Sequence, residues 1–184
     1  MIKPWKKLSH EEIDRNPWWT HFMDRFQTNE GREGDYHYMT NNNAVAVIAQ
    51  LGDDQFVMLR EYRFVFDRVS LSCVMGGIEP GETAEASARR EIVEEIGYEA
   101  GDMIRLGQHA SAPAFSSEVV DIFLARNLRE VGKPDDGGLE ETEVVVMTAE
   151  QIEDAIASGE IWDGQVVTPW HVARRYLAKE RGRE

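Results

Sequence analysis

The chain has 184 residues, 42% of them hydrophobic and 29% charged, and a net charge of −14 at pH 7. The length suits one domain with an appendage and a core that needs no staples. The charge argues against broad binding to nucleic-acid backbones or anionic membranes. No apolar run approaches bilayer-spanning length, and the single cysteine, Cys73, excludes an internal disulfide and points to a reducing cytoplasm. A small anionic substrate stays open, because a bound cation overcomes a negative field at short range.

Along the chain, Met1–Ser9 is basic without the apolar stretch of a secretory signal. Residues 1–40 read as an N-terminal arm and 41–184 as the main domain. The arm carries Trp18 and Trp19, and exposed tryptophans need a surface to pack on. It is therefore expected to dock on the body or on a second subunit, giving a homodimer. Ala44 to Leu51 has strand length, Gly52-Asp53-Asp54 is turn chemistry, and Gln55 to Arg63 completes a hairpin. A helix is predicted over Thr83 to Ile96, stopped by Gly97. Strands follow over Glu118 to Ala125 and Glu143 to Met147, with a loop at Asp135-Asp136-Gly137-Gly138 between them. Closing helices are predicted over Gln151 to Ser158 and Thr168 to Lys179, the second with Pro169 in its first turn. Strands and helices mix without a regular βαβ repeat, so the fold class is α+β with a mixed sheet.

The stretch from Gly76 to Tyr98, GGIEPGETAEASARREIVEEIGY, carries the chemistry. At about 100° per residue, with Glu91 at 0°, Glu95 falls near 40° and Glu94 near 300° on an ideal helix. The opposite arc holds Ile92, Ile96 and Val93 and can face a core. Carboxylates three and four apart repel. Arg90 can pair with Glu94, and a divalent cation would offset the rest, magnesium or manganese being the natural choice for oxygen ligands. A bare glutamate-rich face is usually solvated surface. Here a glycine-rich loop with Pro80-Gly81 precedes the helix, where backbone can approach a ligand closely.

The same stretch resembles the Nudix box, GX5EX7REUXEEXGU with U a bulky apolar residue. Gly76, Glu82, Arg90, Glu91, Ile92, Glu94, Glu95 and Gly97 occupy its fixed places, and Tyr98 is aromatic where aliphatic residues are common. The resemblance implies a Nudix-type α/β/α sandwich and hydrolysis of a nucleoside diphosphate linked to another group. It implies Glu91 and Glu95 as core metal ligands, with the carbonyl of Met75 as another. Glu94 assists directly or through water, and Glu82 reaches a metal through water. Arg90 orients the glutamates.

Outside the box, Asn16-Pro17-Trp18, Gly34 to Tyr38 and Leu59 to Arg63 resemble the branch that cleaves ADP-ribose and nucleoside diphosphate sugars, with Glu61 where that branch has Gln. This similarity gives Arg63 a role in holding the diphosphate. Pro113, 16 residues after Gly97, stands where a proline accompanies ADP-ribose hydrolysis. Ser111 to Ala125 resembles the branch's catalytic loop, with Ala114 for the usual Gly and Glu118 matching its general base. Gly159 to Asp163 also fits. Ser72-Cys73-Val74-Met75 departs from the branch's Glu-Leu-Pro-Ala before the first box glycine. Cys73 reads as packing. Trp19 or Tyr38 is a candidate to stack on adenine.

The expected reaction is Mg²⁺-dependent attack of water on the diphosphate of ADP-ribose, with Glu118 as base and AMP and ribose 5-phosphate as products. Two rivals remain: a non-catalytic sensor of ADP-ribose or a nucleotide sugar, and a hydrolase of GDP-mannose, another nucleotide sugar or a triphosphate.

Overall fold

The computed structural model describes residues 2–134 and 142–182, so the loop expected at Asp135 to Gly138 lies outside the described residues. The chain divides into two compact units, Met1–Asn43 with Ala110–Val119, and Ala44–His109 with Val120–Glu184.

In the first unit, β1 (Lys6–Arg15), β2 (Thr20–Gln27) and β3 (Glu33–Thr40) form an antiparallel three-stranded sheet in sequence order. The arm is therefore a sheet. Its first hairpin turns at Asn16, whose side-chain oxygen accepts from the Trp18 and Trp19 amides at 2.9 and 3.0 Å. One face buries Asp24, which accepts from Lys7 at 2.5 Å and pairs with His10 at 2.6 Å. Tyr38 donates to the same carboxylate at 3.3 Å. Trp5 stacks on Phe26 at 4.6 Å, and a Cβ on Gly34 would press into that Phe26 ring at 2.8 Å.

The second unit is built on a seven-stranded mixed sheet. Its strands are β4 (Ala44–Gly52), β5 (Gln55–Arg63), β6 (Arg68–Ser72), β7 (Val74–Gly77), β8 (Tyr98–Ala110), β9 (Val119–Glu130) and β10 (Thr142–Met147). The order is β10-β5-β4-β9-β8, with β6 beside β5 and β7 beside β4. β4 runs parallel to β9 and antiparallel to β5 and β7. Residues 44–49 of β4 are an unbroken apolar run because both faces of the strand are covered there. Val45, Val47 and Ala49 pack with Ala88, Ile92 and Ile96 of α1 (Ala84–Ile96). Ala46 and Ile48 pack with Ile152 of α2 (Ala149–Ser158) and with Trp170, Ala173 and Leu177 of α3 (Gly164–Arg181). The result is an α/β/α sandwich, with Trp170 edge-on to Phe56 at 4.9 Å in one of its two cores.

Helix α3 begins one turn before its predicted start, because the Asp163 side chain caps it by accepting from the Gln165 amide at 2.8 Å. Pro169 thus sits in the second turn, where it lacks the amide that would bond back along the helix. The predicted core arc of α1 also shifts: Val93 is 38% exposed and Glu91 is buried. The β7 backbone at Gly76 lies against the Glu91 carboxylate.

Candidate active site

The site grows from the junction of β7 and α1. Thr83 caps α1 by accepting from the Ala86 amide at 3.2 Å, and Gly97 ends it with φ at +73°, a conformation that favours glycine. A Cβ at Gly97 would also run into the Gly132 carbonyl. Gly76 makes the other close approach. A Cβ there would overlap the Glu91 carboxylate, so glycine lets the β7 backbone lie against that side chain.

Arg90 organises the carboxylates. Its Nη1 donates to Glu91 at 2.7 Å and to Glu94 at 2.8 Å. Its Nε and Nη2 donate to the two oxygens of Glu82 at 3.3 and 3.2 Å. Nη2 also reaches the Gly77 carbonyl at 3.1 Å, which ties the loop to the helix. Bonding to Glu82 above all holds the Arg90 proton more tightly than usual, against burial. The same bond keeps the Glu82 carboxyl below its ordinary value. Burial pushes the Glu91 carboxyl upward, and Arg90 only partly opposes it. Glu95 stands apart from this fan and accepts from the Met75 amide at 3.2 Å.

Among the described residues, no three His, Cys, Asp or Glu side chains converge as ligands of one ion. Arg90 occupies the position of counter-charge instead. The donor set nevertheless fits a hard divalent cation: Glu91, Glu95, Glu94, Glu82 and the Met75 carbonyl are all oxygen donors, and the bare Gly76 backbone leaves the Glu91 carboxylate room.

A second arginine lies next to this junction. Arg63, at the end of β5, pairs through Nη2 with Glu61 at 2.6 Å and with Asp163 at 3.9 Å, and donates to the Ser72 hydroxyl at 3.5 Å. Ser72 and Cys73 lead directly into Met75 and the box. Cys73 is buried, and burial pushes its thiol far above the ordinary range, with Glu95, Asp163 and Glu61 adding to the effect. It is not poised as a nucleophile. Asp163 was singled out in the sequence only as part of a resemblance. Its spacing before the apolar run of α3 is the signal of a helix cap.

The remaining candidates lie in the first unit. Glu118 accepts from the Asn41 amide group at 2.5 Å, and the Ser116 hydroxyl donates to the Asn41 oxygen at 3.0 Å. The Glu118 amide in turn bonds to Ser116 at 3.1 Å. Asn41 and Ser116 thus hold the Glu118 carboxylate, and nothing in the sequence pattern flags Asn41. Pro113 sits in the turn where the Phe115 and Ser116 amides bond back to the Ala112 carbonyl. Trp19 lines a shallow hollow of about 280 Å³ with Arg15, Trp18 and Asn41, and Trp18 is 78% exposed. Tyr38 is turned toward Asp24 and lies 5.8 Å from the Phe22 ring.

The family model of the NUDIX domain matches residues 40–170. The chain belongs to the Nudix family. It is 29% identical over 158 residues to a methanol dehydrogenase activator of Bacillus methanolicus, covering 84% of this chain and 82% of the relative. It is 26% identical over 163 residues to an ADP-ribose pyrophosphatase of Bacillus subtilis (strain 168), covering 87% of each. A crystal structure of an ADP compounds hydrolase superposes with a TM-score of 0.88 at 25% identity, over 100% of this chain and 99% of that one. The chain is accordingly a Nudix hydrolase with the family's sandwich fold, an enzyme of phosphoanhydride bonds. No helix among the described residues is long and apolar enough to cross a membrane.

Proposed function

We propose that this enzyme hydrolyses the diphosphate of ADP-ribose, or of a closely related nucleoside diphosphate sugar, to a nucleoside monophosphate and a sugar phosphate. The observation that carries the reading is the junction of β7 and α1. There Arg90 gathers Glu82, Glu91 and Glu94 while Glu95 is tied to the Met75 backbone. The name of the Bacillus subtilis relative supports ADP-ribose as first substrate, and that of the solved structure supports an ADP compound.

Glu91 and Glu95, with the Met75 carbonyl, are the residues to hold Mg²⁺, with Mn²⁺ a substitute and Glu94 and Glu82 completing the oxygen set. The bound cation supplies charge neutralisation on the diphosphate and a lowered pKa for its water. Arg90 keeps the carboxylates oriented and spaced. Arg63 binds the diphosphate through its planar fork. Glu118, held by Asn41, takes the proton of the attacking water. Trp19 and Tyr38 are proposed contacts for the nucleoside, and Pro113 shapes the loop that carries Glu118. The arm of residues 1–40, with Trp18 exposed, is proposed to form a homodimer interface. Light scattering at micromolar concentration checks this, a monomer counting against it.

The deciding experiment incubates the protein and Mg²⁺ with ADP-ribose, GDP-mannose, dinucleotides and triphosphates, and identifies products by mass. AMP and ribose 5-phosphate from ADP-ribose are expected. Tight ADP-ribose binding with no turnover of any compound would make the chain a sensor. For the base, Glu118→Gln is expected to lose at least about tenfold in kcat, below which general-base catalysis by this residue is untenable.

A further inference from the structure

The hairpin of β2 and β3 in the first unit carries a set of side chains that the box chemistry does not use. His21 Nε2 lies 3.0 Å from His37 Nδ1, and the ring centroids are 5.2 Å apart, so the rings meet end to end rather than stack. The strand register produces this meeting. His21 stands opposite Met39, and Met23 stands opposite His37. Side chains two apart on a strand share a face, and directly opposed residues share it too. His21, Met23, His37 and Met39 therefore form a two-by-two array, with the imidazoles on one diagonal and the thioethers on the other. The aromatic packing of this sheet, through Phe22, Phe26 and Tyr38, belongs to the other face. The array is not what holds the sheet's own aromatic core. His37 is exposed and the other three residues are half-buried.

Two imidazoles at hydrogen-bond distance share one proton: one nitrogen donates and the other offers its lone pair. A metal ion can take the place of that proton. Two nitrogens at 2.0–2.1 Å from one ion stand about 2.9 Å apart at a right angle and about 3.4 Å apart at the tetrahedral angle. The observed 3.0 Å falls within that interval, so turning the rings aims both lone pairs at one ion without moving the strands. Among the described residues, no carboxylate or thiol joins the two imidazoles as a third ligand. The donors that the register supplies to complete the set are the two thioethers. Imidazole suits zinc, nickel and copper alike, whereas a thioether selects monovalent copper. The register also sets Asp14 of β1 opposite His21 and Glu11 opposite Met23, which flanks the array with negative charge that favours a cation.

We propose that His21, Met23, His37 and Met39 form a binding site for monovalent copper. The ion ties β2 to β3 through side chains of both strands. The site is separate from the carboxylates of the box in sequence and in ligand chemistry, and it stands whichever diphosphate the enzyme cleaves.

The test titrates metal-free protein with Cu(I), under anaerobic reducing conditions, against the chromophoric chelator bicinchoninate. Cu(I) is soft and poorly matched to the hard oxygens of the box, so the readout reports the new site. Withdrawal of one equivalent from the chelator is expected, with a rise in melting temperature because the ion binds the folded hairpin. His21→Ala and His37→Ala should each weaken binding at least about tenfold, the least that loss of a direct ligand costs. The double variant Met23→Leu with Met39→Leu conserves volume, and it should weaken binding about tenfold while leaving the metal-free melting temperature almost unchanged. That variant keeps the test decisive if a histidine variant fails to fold. Cys73→Ala should bind as the wild type does. No withdrawal from the chelator, or withdrawal that survives loss of both histidines, overturns the inference. So does binding that disappears in Cys73→Ala, which would assign the ion to the thiol, or binding that the paired methionine variant leaves unchanged.

Discussion

Two arginines stand among carboxylates in the second unit, and they are used in opposite ways. Arg90 spends all three nitrogens inside the protein, on Glu82, Glu91, Glu94 and the Gly77 carbonyl. Among the described residues, Arg63 meets Glu61, Asp163 and Ser72 through Nη2. The first is saturated and therefore structural, a brace that lets like charges sit three and four apart on one helix. The second is half-satisfied and therefore available to a ligand. Counting donors, rather than noting that a residue is an arginine in a motif, separates the two roles.

The largest effect should come from the carboxylate tied to the β7 backbone. Glu95 bonds to the Met75 amide. If it holds the cation, Glu95→Gln should cost at least about 100-fold in kcat at saturating Mg²⁺, more than the loss typical of a residue that only supports a ligand. Near wild-type turnover would break the assignment of the whole box. Next comes the contrast itself. Arg63→Ala is expected to raise KM for ADP-ribose about 10- to 100-fold, since a hydrogen bond to a charged group is worth roughly 1.5–3 kcal/mol, and to lower the melting temperature less than the loss of Arg90 does. Arg90→Ala should do the reverse in metal-free buffer. It strips the counter-charge from three carboxylates, and a loss of about 1–3 kcal/mol is expected. For a chain of this length that is a fall in Tm of several degrees. Mg²⁺ should restore part of it, by binding only the folded state. A Tm that Mg²⁺ does not move in Arg90→Ala would mean that arginine and cation do not share the same carboxylates.

Much of this was legible beforehand, and the places where it was not share a cause. Strands β4 and β5 and helix α1 announce themselves because periodicity, turn and cap agree: Gly52-Asp53-Asp54 for the hairpin, Thr83 and Gly97 for the helix. The box carries its spacing on its face. The sheet of the arm does not. Every residue of β1 is exposed, so no alternation marks KKLSHEEIDR as a strand. β8 was missed because Gly101 and Gly107 interrupt it and it ends the strand order, where pattern is weakly constrained. Glu91 is expected opposite the core and is buried, because the absence of a side chain at Gly76 lets the β7 backbone lie against it. That contact joins residues fifteen apart, and helical periodicity cannot see it.

The smallest effect asks how far the Arg90 brace reaches. Glu82 is the one of its three carboxylates that lies on the loop before α1, and the Arg90 hydrogen bond keeps its carboxyl below the ordinary value of 4.5. An acid whose folded pKa is depressed stabilises the fold above its unfolded pKa, and that contribution disappears as pH falls through the folded pKa. In metal-free buffer the contribution should therefore be complete above about pH 4.5 and fade below it. Glu82→Gln keeps an oxygen for Arg90 but cannot titrate. Its Tm should sit slightly below wild type near neutrality, and the two curves should converge as the pH drops under 4.5. Curves that stay parallel across that window would mean the ion pair adds nothing. Glu82 would then serve only to hold the loop through the Glu79 amide, which it accepts from at 3.3 Å. The brace would shrink to Glu91 and Glu94, and the contrast with Arg63 would rest on those two bonds alone.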